Sequence, residues 1–297
     1  MNPADRTKGF ALVMLAAVLW GTTGTSQGLA PAEVSSSVIG ALRILLGGIV
    51  LFLYAFYKGG FSKTEKWPFL ITSFGILSVA AYQLTFFYGV RYAGVAIGTM
   101  VGIGSGPISA GILAFLFYNE KLSKKWMIST LIGIIGLVLT TYGSRGSGLN
   151  YNVFGIILSI GAGFFYASYT MVSKKLLETN DVNAVMAVLF LGGALLLTPF
   201  LFIYDVAPLL NPGGIIIIIH LGVIATGVSY FFFARGLKLI KVSETATLSL
   251  AEPLTATLLG ILVLHESPSF LSFLGVFFIF AGLCVLSIQR RQRTEDR

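Results

Sequence analysis

The feature of this sequence that most constrains its fold is a series of ten apolar runs, each long enough to cross a membrane as a helix. A membrane-spanning helix needs about 20 mostly apolar residues, because its backbone amides must be hydrogen-bonded within the segment. Strands are not expected, since the runs are continuous and do not alternate in polarity as barrel strands do. The predicted spans are Gly9–Gln27, Val34–Tyr57, Trp67–Val90, Val95–Phe117, Trp126–Tyr142, Val153–Ser173, Val182–Tyr204, Gly213–Ala234, Ser243–Leu264 and Phe270–Ile288.

The composition excludes an ordinary water-soluble fold and several kinds of functional site. Charged residues make up 11% of the chain, whereas soluble domains carry about 25%. The single cysteine, Cys284, lies in an apolar run, and the two histidines, His220 and His265, lie in different regions. A disulfide framework, a metal cluster and a histidine-based catalytic centre are therefore not predicted. We expect that the protein is not an enzyme and needs no cofactor.

The basic residues are distributed as expected for the alternate loops of a membrane protein. Of the 20 Lys and Arg residues, 17 fall in the two terminal segments and in every second loop. The other loops hold Arg91 and Arg145, and Arg43 lies inside the second apolar run. Because cytoplasmic loops collect Lys and Arg, the pattern predicts a multi-pass protein of a bacterial-type inner membrane with both termini in the cytoplasm. Topology thus explains the net charge of +8, and no nucleic-acid partner is expected.

An internal repeat divides the chain into two halves. Gly9 matches Gly155 and Pro107 matches Pro253, with 146 positions between the members of each pair. Five spans in each half place the second half upside down in the membrane, and inverted repeats of this kind are typical of secondary transporters. The predicted units are a first five-helix repeat over residues 1–142, an external linker over residues 143–152 and an inverted second repeat over residues 153–297, which ends in a basic cytoplasmic tail.

Three motifs and a pair of acidic residues make the pattern more specific. Glu120 and Glu266 each lie thirteen residues after the proline of their repeat. With these features, the chain resembles the EamA-type branch of the drug/metabolite transporter superfamily over nearly its whole length. The resemblance implies a central cavity lined by the first four helices of each half, export of amino acids, related metabolites or drugs, and no ATP site. The motifs are Leu19-Trp20-Gly21-Thr22, Leu42-Arg43-Ile44-Leu45-Leu46-Gly47-Gly48 and Ala251-Glu252-Pro253-Leu254-Thr255-Ala256.

Arg43 and Glu252 are candidate substrate-binding residues, because each places a charge near the middle of a predicted span. A guanidinium at the bilayer centre costs about 2.5–3.5 kcal/mol, so Arg43 must face protein or water. Arg43 could bind a substrate carboxylate through its planar fork, or it could pair with Glu252 or with backbone carbonyls. Glu252 could bind a substrate ammonium, could carry the proton of a coupled transport step, or could be neutralised by Arg43.

Further polar and aromatic residues are candidates for the wall of a substrate cavity. The hydroxyl groups among them could instead bond to their own helix, and most aromatic side chains in such a chain only pack. Both interpretations stay open at this point. The candidates are Trp20, Thr22 and Gln27 in the first span, Tyr82, Gln83 and Phe86 in the third, Tyr166 and Tyr169 in the sixth, Tyr230 in the eighth and Ser249 in the ninth.

These features predict a secondary active transporter that exports a small organic metabolite by alternating access, with proton antiport as one mode of coupling. An amino acid or a related amphiphile is the expected cargo, and a hydrophobic cationic drug is the alternative. A membrane-embedded lipid-modifying enzyme would need clustered polar residues with mutual reach, and a non-transporting subunit would not need an inverted repeat. The partners expected are the small-molecule substrate and the lipid bilayer, and the chain is expected to act as a monomer or a homodimer.

Overall fold

The structure is a computed structural model, and it is built from helices joined by short connections. At residues 27, 28, 36, 95 and 96 only the backbone is described. The predicted linker lies mostly outside the described residues, as does Glu266. The described ranges are residues 2–30, 34–62, 65–143, 152–263, 265 and 269–288.

Within these ranges, ten helices are long and apolar enough to cross a membrane. This confirms the number of spans predicted from the apolar runs, and no strand occurs in the described part of the chain. The helices are α1 (Pro3–Gly28), α2 (Ser36–Tyr57), α3 (Phe69–Ala93), α4 (Val95–Tyr118), α5 (Lys124–Gly143), α6 (Val153–Leu176), α7 (Val182–Ile203), α8 (Pro212–Leu239), α9 (Val242–Val263) and α10 (Phe270–Ser287).

Three helices are less regular than their apolar runs indicate. Helix α7 is interrupted after Val182–Leu197 and resumes at Phe200–Ile203. Helix α8 contains a π-helical stretch, His220–Val228. Helix α9 is interrupted after Val242–Leu248 and resumes at Ala251–Val263. The prediction placed Pro253 in the middle of one continuous helix. In the structure Pro253 is the third residue of the second piece, where its missing N–H costs little because the first-turn amides have no partner within a helix.

Contacts between helices follow the inverted repeat. Helix α3 packs on α6 and α1 packs on α8, which are equivalent pairs in the two halves. The pair formed by α4 and α6 is likewise equivalent to that formed by α9 and α1, while α2 packs on α7 and α5 on α10. The chain therefore forms two inverted five-helix repeats whose helices interlock across the interface.

Two matched glycines allow close approaches between the halves. A methyl group at Gly9 of α1 would lie 2.5 Å from Cγ2 of Ile240, just after α8. A methyl group at Gly155 of α6 would lie 2.7 Å from the carbonyl carbon of Tyr92 and would also clash with the amide nitrogen of Ala93, at the end of α3. Each glycine thus lets the first helix of its half contact the end of the third helix of the other half.

Candidate functional site

Arg43 and Glu252 come into the same part of the bundle. Arg43 lies in the first half of α2, and Glu252 lies in the first turn of the second piece of α9. The two charged groups lie near enough to influence each other, and both lie near enough to the hydroxyl group of Tyr82 from α3 to influence it. No nitrogen of Arg43 lies within the 4.0 Å of a carboxylate oxygen that an ion pair requires among the described residues. The direct pair considered from the sequence is therefore not formed.

The guanidinium of Arg43 is incompletely satisfied. Its Nε is buried and has no hydrogen-bond partner among the residues that the structure describes. A buried polar group without a partner costs free energy, and a charged one costs more. The side chain as a whole is half-buried. One donor of the Arg43 guanidinium is therefore unused by the described residues.

The interruption of α9 determines the surroundings of Glu252. The backbone turns at Ser249 and Leu250, and the new helix piece begins at Ala251. The carboxylate thus lies at the N-terminal end of a helix, where the partial positive charge of the helix dipole stabilises an anion. Glu252 is half-buried, and Arg43 is the charged group that acts on it.

Tyrosines from α3 and α6 lie beside Arg43 and Glu252. The ring of Tyr82 is 6.1 Å from that of Tyr166 and 5.9 Å from that of Phe86, measured between centroids. The hydroxyl oxygen of Tyr166 lies 2.7 Å from Oγ of Ser249, at the interruption of α9. The structure therefore brings together four of the predicted residues, which come from α3, α6 and α9.

Three other predicted aromatic residues are fully packed. The hydroxyl groups of Tyr169 and Tyr230 are 2.9 Å apart, and Nε1 of Trp20 donates a 2.9 Å hydrogen bond to Ser229. Both tyrosines and Trp20 are buried. Phe190 was not predicted from the sequence, and its ring centroid lies 4.0 Å from that of Tyr230. In this conformation these side chains support the half-buried tyrosines, and contact between them and cargo stays a prediction.

The remaining predicted residues are distributed around this centre. Thr22 Oγ1 donates to the carbonyl of Leu19 and lies 2.9 Å from Nε2 of His220. From the sequence, His220 was considered only as a metal ligand or a catalytic residue, and neither was predicted. In the structure it lies at a contact between α1 and α8. Gln83 is buried, and the side chain of Gln27 lies outside the described part of the structure. Within that part, no group of three His, Cys, Asp or Glu residues is placed to hold a metal ion.

The π-helical stretch that begins at His220 lies in an interval, between Gly155 and Gly236, over which the second repeat is one residue longer than the first. A π turn contains one residue more than an α turn and often occurs at functional sites. The repeat separation is 146 positions between Gly9 and Gly155 but 147 between Gly89 and Gly236. The second half has therefore gained one residue before Gly236. The π-helical stretch of α8 accommodates one residue of this kind.

Polar contacts join the two halves on one side of the bundle. We call this the basic side, and it is the side on which α1 begins and α10 ends. Glu120, after α4, accepts hydrogen bonds from the backbone amide of Val242 at 3.1 Å and from the hydroxyl of Ser243 at 2.8 Å. Arg6 of α1 forms a 2.8 Å ion pair with Glu244 of α9. The ends of α1 and α4 that lie on the basic side are thus both hydrogen-bonded to the start of α9.

A cavity of about 600 Å³ lies away from Arg43 and Glu252. It is formed by α3, α4 and α6 on the basic side, and none of the predicted site residues lines it.

A bundle of ten apolar helices, arranged as two inverted repeats around a charged and aromatic centre, has the architecture of a multi-pass membrane transporter. The EamA-like transporter family matches the chain twice, over residues 7–142 and 153–288. The chain therefore belongs to this family.

Relatives of similar length are also named as transporters. The uncharacterized transporter YwfM of Bacillus subtilis (strain 168) is 38% identical over 285 residues, which cover 96% of this chain and 95% of the relative. The uncharacterized inner membrane transporter YicL of Salmonella typhimurium (strain LT2) is 27% identical over 295 residues, which cover 96% of this chain and 97% of the relative. A crystal structure of a protein that is 20% identical superposes with a TM-score of 0.82 over 93% of this chain and 95% of the other. That likeness supports the fold alone.

Proposed function

We propose that this chain is a secondary transporter that exports a small zwitterionic metabolite, an amino acid or a close relative, across a bacterial-type inner membrane. The observation that carries the proposal is the arrangement of Arg43 and Glu252, which act on each other electrostatically without forming an ion pair. A ligand with a carboxylate and an ammonium group would satisfy both side chains at once. Arg is well suited to the carboxylate because its fork can bind both oxygens.

The half-buried aromatic residues give the cargo an apolar side. Tyr82, Phe86 and Tyr166 lie next to one another, and apolar walls with a few placed polar groups are typical of small-molecule sites. An amino acid would place its charged groups between Arg43 and Glu252 and its side chain against these rings.

The transport cycle is proposed to be alternating access between the two inverted repeats. The contacts of Glu120 and of Arg6 with α9 hold the basic side together, so these contacts would have to separate when that side opens. The excess of Lys and Arg supports a cytoplasmic location for the basic side and for both termini. Glu252 is the proposed proton carrier if export is coupled to proton entry.

Flux of labelled amino acids through proteoliposomes tests this proposal. Arg43→Ala should weaken uptake of an amino acid by about 10- to 150-fold, which corresponds to the loss of one hydrogen bond to a charged group. Arg43→Lys should be intermediate, because it keeps the charge and loses the fork. Arg91→Ala and Asp5→Asn, which change exposed charges, are the matched controls. The proposal fails if no amino acid crosses faster than in empty vesicles under any gradient.

The same variants separate the cargo and coupling alternatives. A hydrophobic cationic drug would need Glu252 and the aromatic residues but not Arg43, so Arg43→Ala would preserve or increase its transport. Glu252→Gln should remove the dependence of flux on an imposed pH gradient if Glu252 carries the proton. An unchanged dependence in a folded Glu252→Gln protein would exclude Glu252 from coupling.

A further inference from the structure

The cavity between α3, α4 and α6 is a second candidate binding site, separate from the proposed transport site. Its walls are apolar, and its volume of about 600 Å³ falls within the range of about 300–1,000 Å³ found for small-molecule sites. Several wall residues are exposed on the outside of apolar helices, and in a membrane that surface faces lipid. The cavity therefore opens to the bilayer. The apolar walls are formed by Leu70, Ile71 and Phe74 of α3, Phe117 of α4, and Met171 and Val172 of α6.

The rim of the cavity on the basic side is polar. Lys175 and Glu178 follow the wall residues of α6, and their Nζ and Oε2 atoms are 2.6 Å apart. Both side chains are about half exposed, at 55% and 46%. Asn119 completes the rim at the end of α4 and is also exposed. One cation, one anion and one amide thus lie where α4 and α6 leave the membrane.

We propose that this cavity binds one phosphatidylethanolamine molecule from the leaflet on the basic side. An acyl chain would fill the apolar cavity, and the headgroup would lie at the rim. The headgroup has a phosphate that accepts hydrogen bonds from Lys175 and a primary ammonium that donates to Glu178. The two charges of the rim are thus opposite in sign to the two charges of the headgroup.

Charge and hydrogen bonding distinguish this lipid from the other common phospholipids. Phosphatidylglycerol has no cation and would leave Glu178 facing a like charge. Phosphatidylcholine has a cation, but its trimethylammonium group cannot donate a conventional hydrogen bond to a carboxylate. An anionic lipid would suit a rim that contained only lysines. The paired rim of one lysine and one glutamate favours the zwitterion with a primary ammonium.

Native mass spectrometry of the full chain, purified and supplied with defined phosphatidylethanolamine, phosphatidylglycerol or phosphatidylcholine, tests the proposal. The wild-type protein should retain one phosphatidylethanolamine about tenfold more strongly than either other lipid, as one additional charge-assisted bond would give. The double variant Lys175→Gln/Glu178→Gln should remove this preference. Because both side chains are exposed, the variant should fold. Lys58→Gln, at an exposed lysine after α2, is the matched control.

A second variant tests whether an acyl chain occupies the apolar cavity. Met171→Trp should fill the cavity and lower retention of all three lipids, whereas Leu131→Trp on the exposed face of α5 should leave it unchanged. Equal retention of the three lipids by the wild-type protein would overturn the proposal. A preference that persists in the Lys175/Glu178 double variant would also overturn it, whether or not the Met171→Trp protein folds.

Discussion

Glu120 provides a direct test of how the basic side is held closed. Its two carboxylate oxygens accept from the amide of Val242 and from the hydroxyl of Ser243, at 3.1 and 2.8 Å. Both donor residues are buried, at 0% and 3% exposure. Glu120→Ala would leave the Val242 amide without its partner at the first turn of α9. It would also remove the side-chain hydrogen bonds that the described residues show between the end of α4 and that turn.

The size of the effect follows from these two bonds. A hydrogen bond to a charged group contributes about 1.5–3 kcal/mol, and Glu120 is itself partly exposed, so we take the lower end for each. Glu120→Ala should then lower the free energy of unfolding by about 3 kcal/mol, which corresponds to about 5 °C in Tm for a chain of 297 residues. Glu120→Gln keeps an acceptor oxygen but loses the charge, so it should lose about half as much.

Thermal unfolding of the purified protein in one detergent measures this change. Lys121→Ala is the control, because Lys121 is the next residue and is exposed. Access of a thiol reagent to Ala246→Cys, a buried position in the first piece of α9, reports opening in a Cys284→Ser background. Labelling should be about tenfold or more faster with Glu120→Ala. If Glu120→Ala melts and labels like Lys121→Ala, the two hydrogen bonds do not hold the basic side closed.

Two further variants test the packing of the halves. Arg6→Ala leaves Glu244 unpaired at a site where both side chains are mostly buried, so it should lower the free energy of unfolding by about 3–5 kcal/mol. The double variant Arg6→Ala/Glu244→Ala should recover part of that loss in a double-mutant cycle. Additive effects of the two substitutions would show that the ion pair contributes nothing to stability. Gly155→Ala should sharply reduce the yield and Tm of the folded protein, because its methyl group would overlap the backbone at Ala93. Gly24→Ala is the control: a methyl group there contacts no described atom within 4 Å, so this variant should melt near the wild type.

The number of helices and their inverted arrangement could be predicted because both depend on local properties of the sequence. Apolar length determines whether a segment spans the membrane, and five spans per half determine the inversion. The same reasoning placed Arg43 and Glu252 near the centre, since each lies inside an apolar run. The irregularity of α9 was not predicted, because Ser249 and Leu250 carry no strong signal for a turn and the tolerance of Pro253 depends on where the new helix begins.

Contacts between side chains could not be predicted in the same way. Tyr169 and Tyr230 are 61 positions apart, and their hydroxyl groups meet only because α6 and α8 approach each other. Trp20 was a candidate for a cavity wall, with packing as the open alternative, and its hydrogen bond to Ser229 depends on the approach of α1 to α8. Nothing in either residue type distinguishes a packed ring from one that contacts cargo. The composition of a helix indicates which side chains are candidates, and packing decides among them.

The π-helical stretch of α8 has a consequence for the energies of the two end states. Two identical inverted halves would make a carrier whose inward-open and outward-open forms are related by a two-fold rotation about an axis in the membrane plane and have equal free energy. Helix α3, the counterpart of α8, is α-helical over its whole length. This difference makes the free energies of the two end states unequal. Arg43 and Glu252 have the same effect, because their equivalent positions in the other half are uncharged. Under the proposed alternating-access cycle, the two end states of the empty protein are therefore expected to differ in free energy, and the residues that break the repeat symmetry would determine which one is preferred.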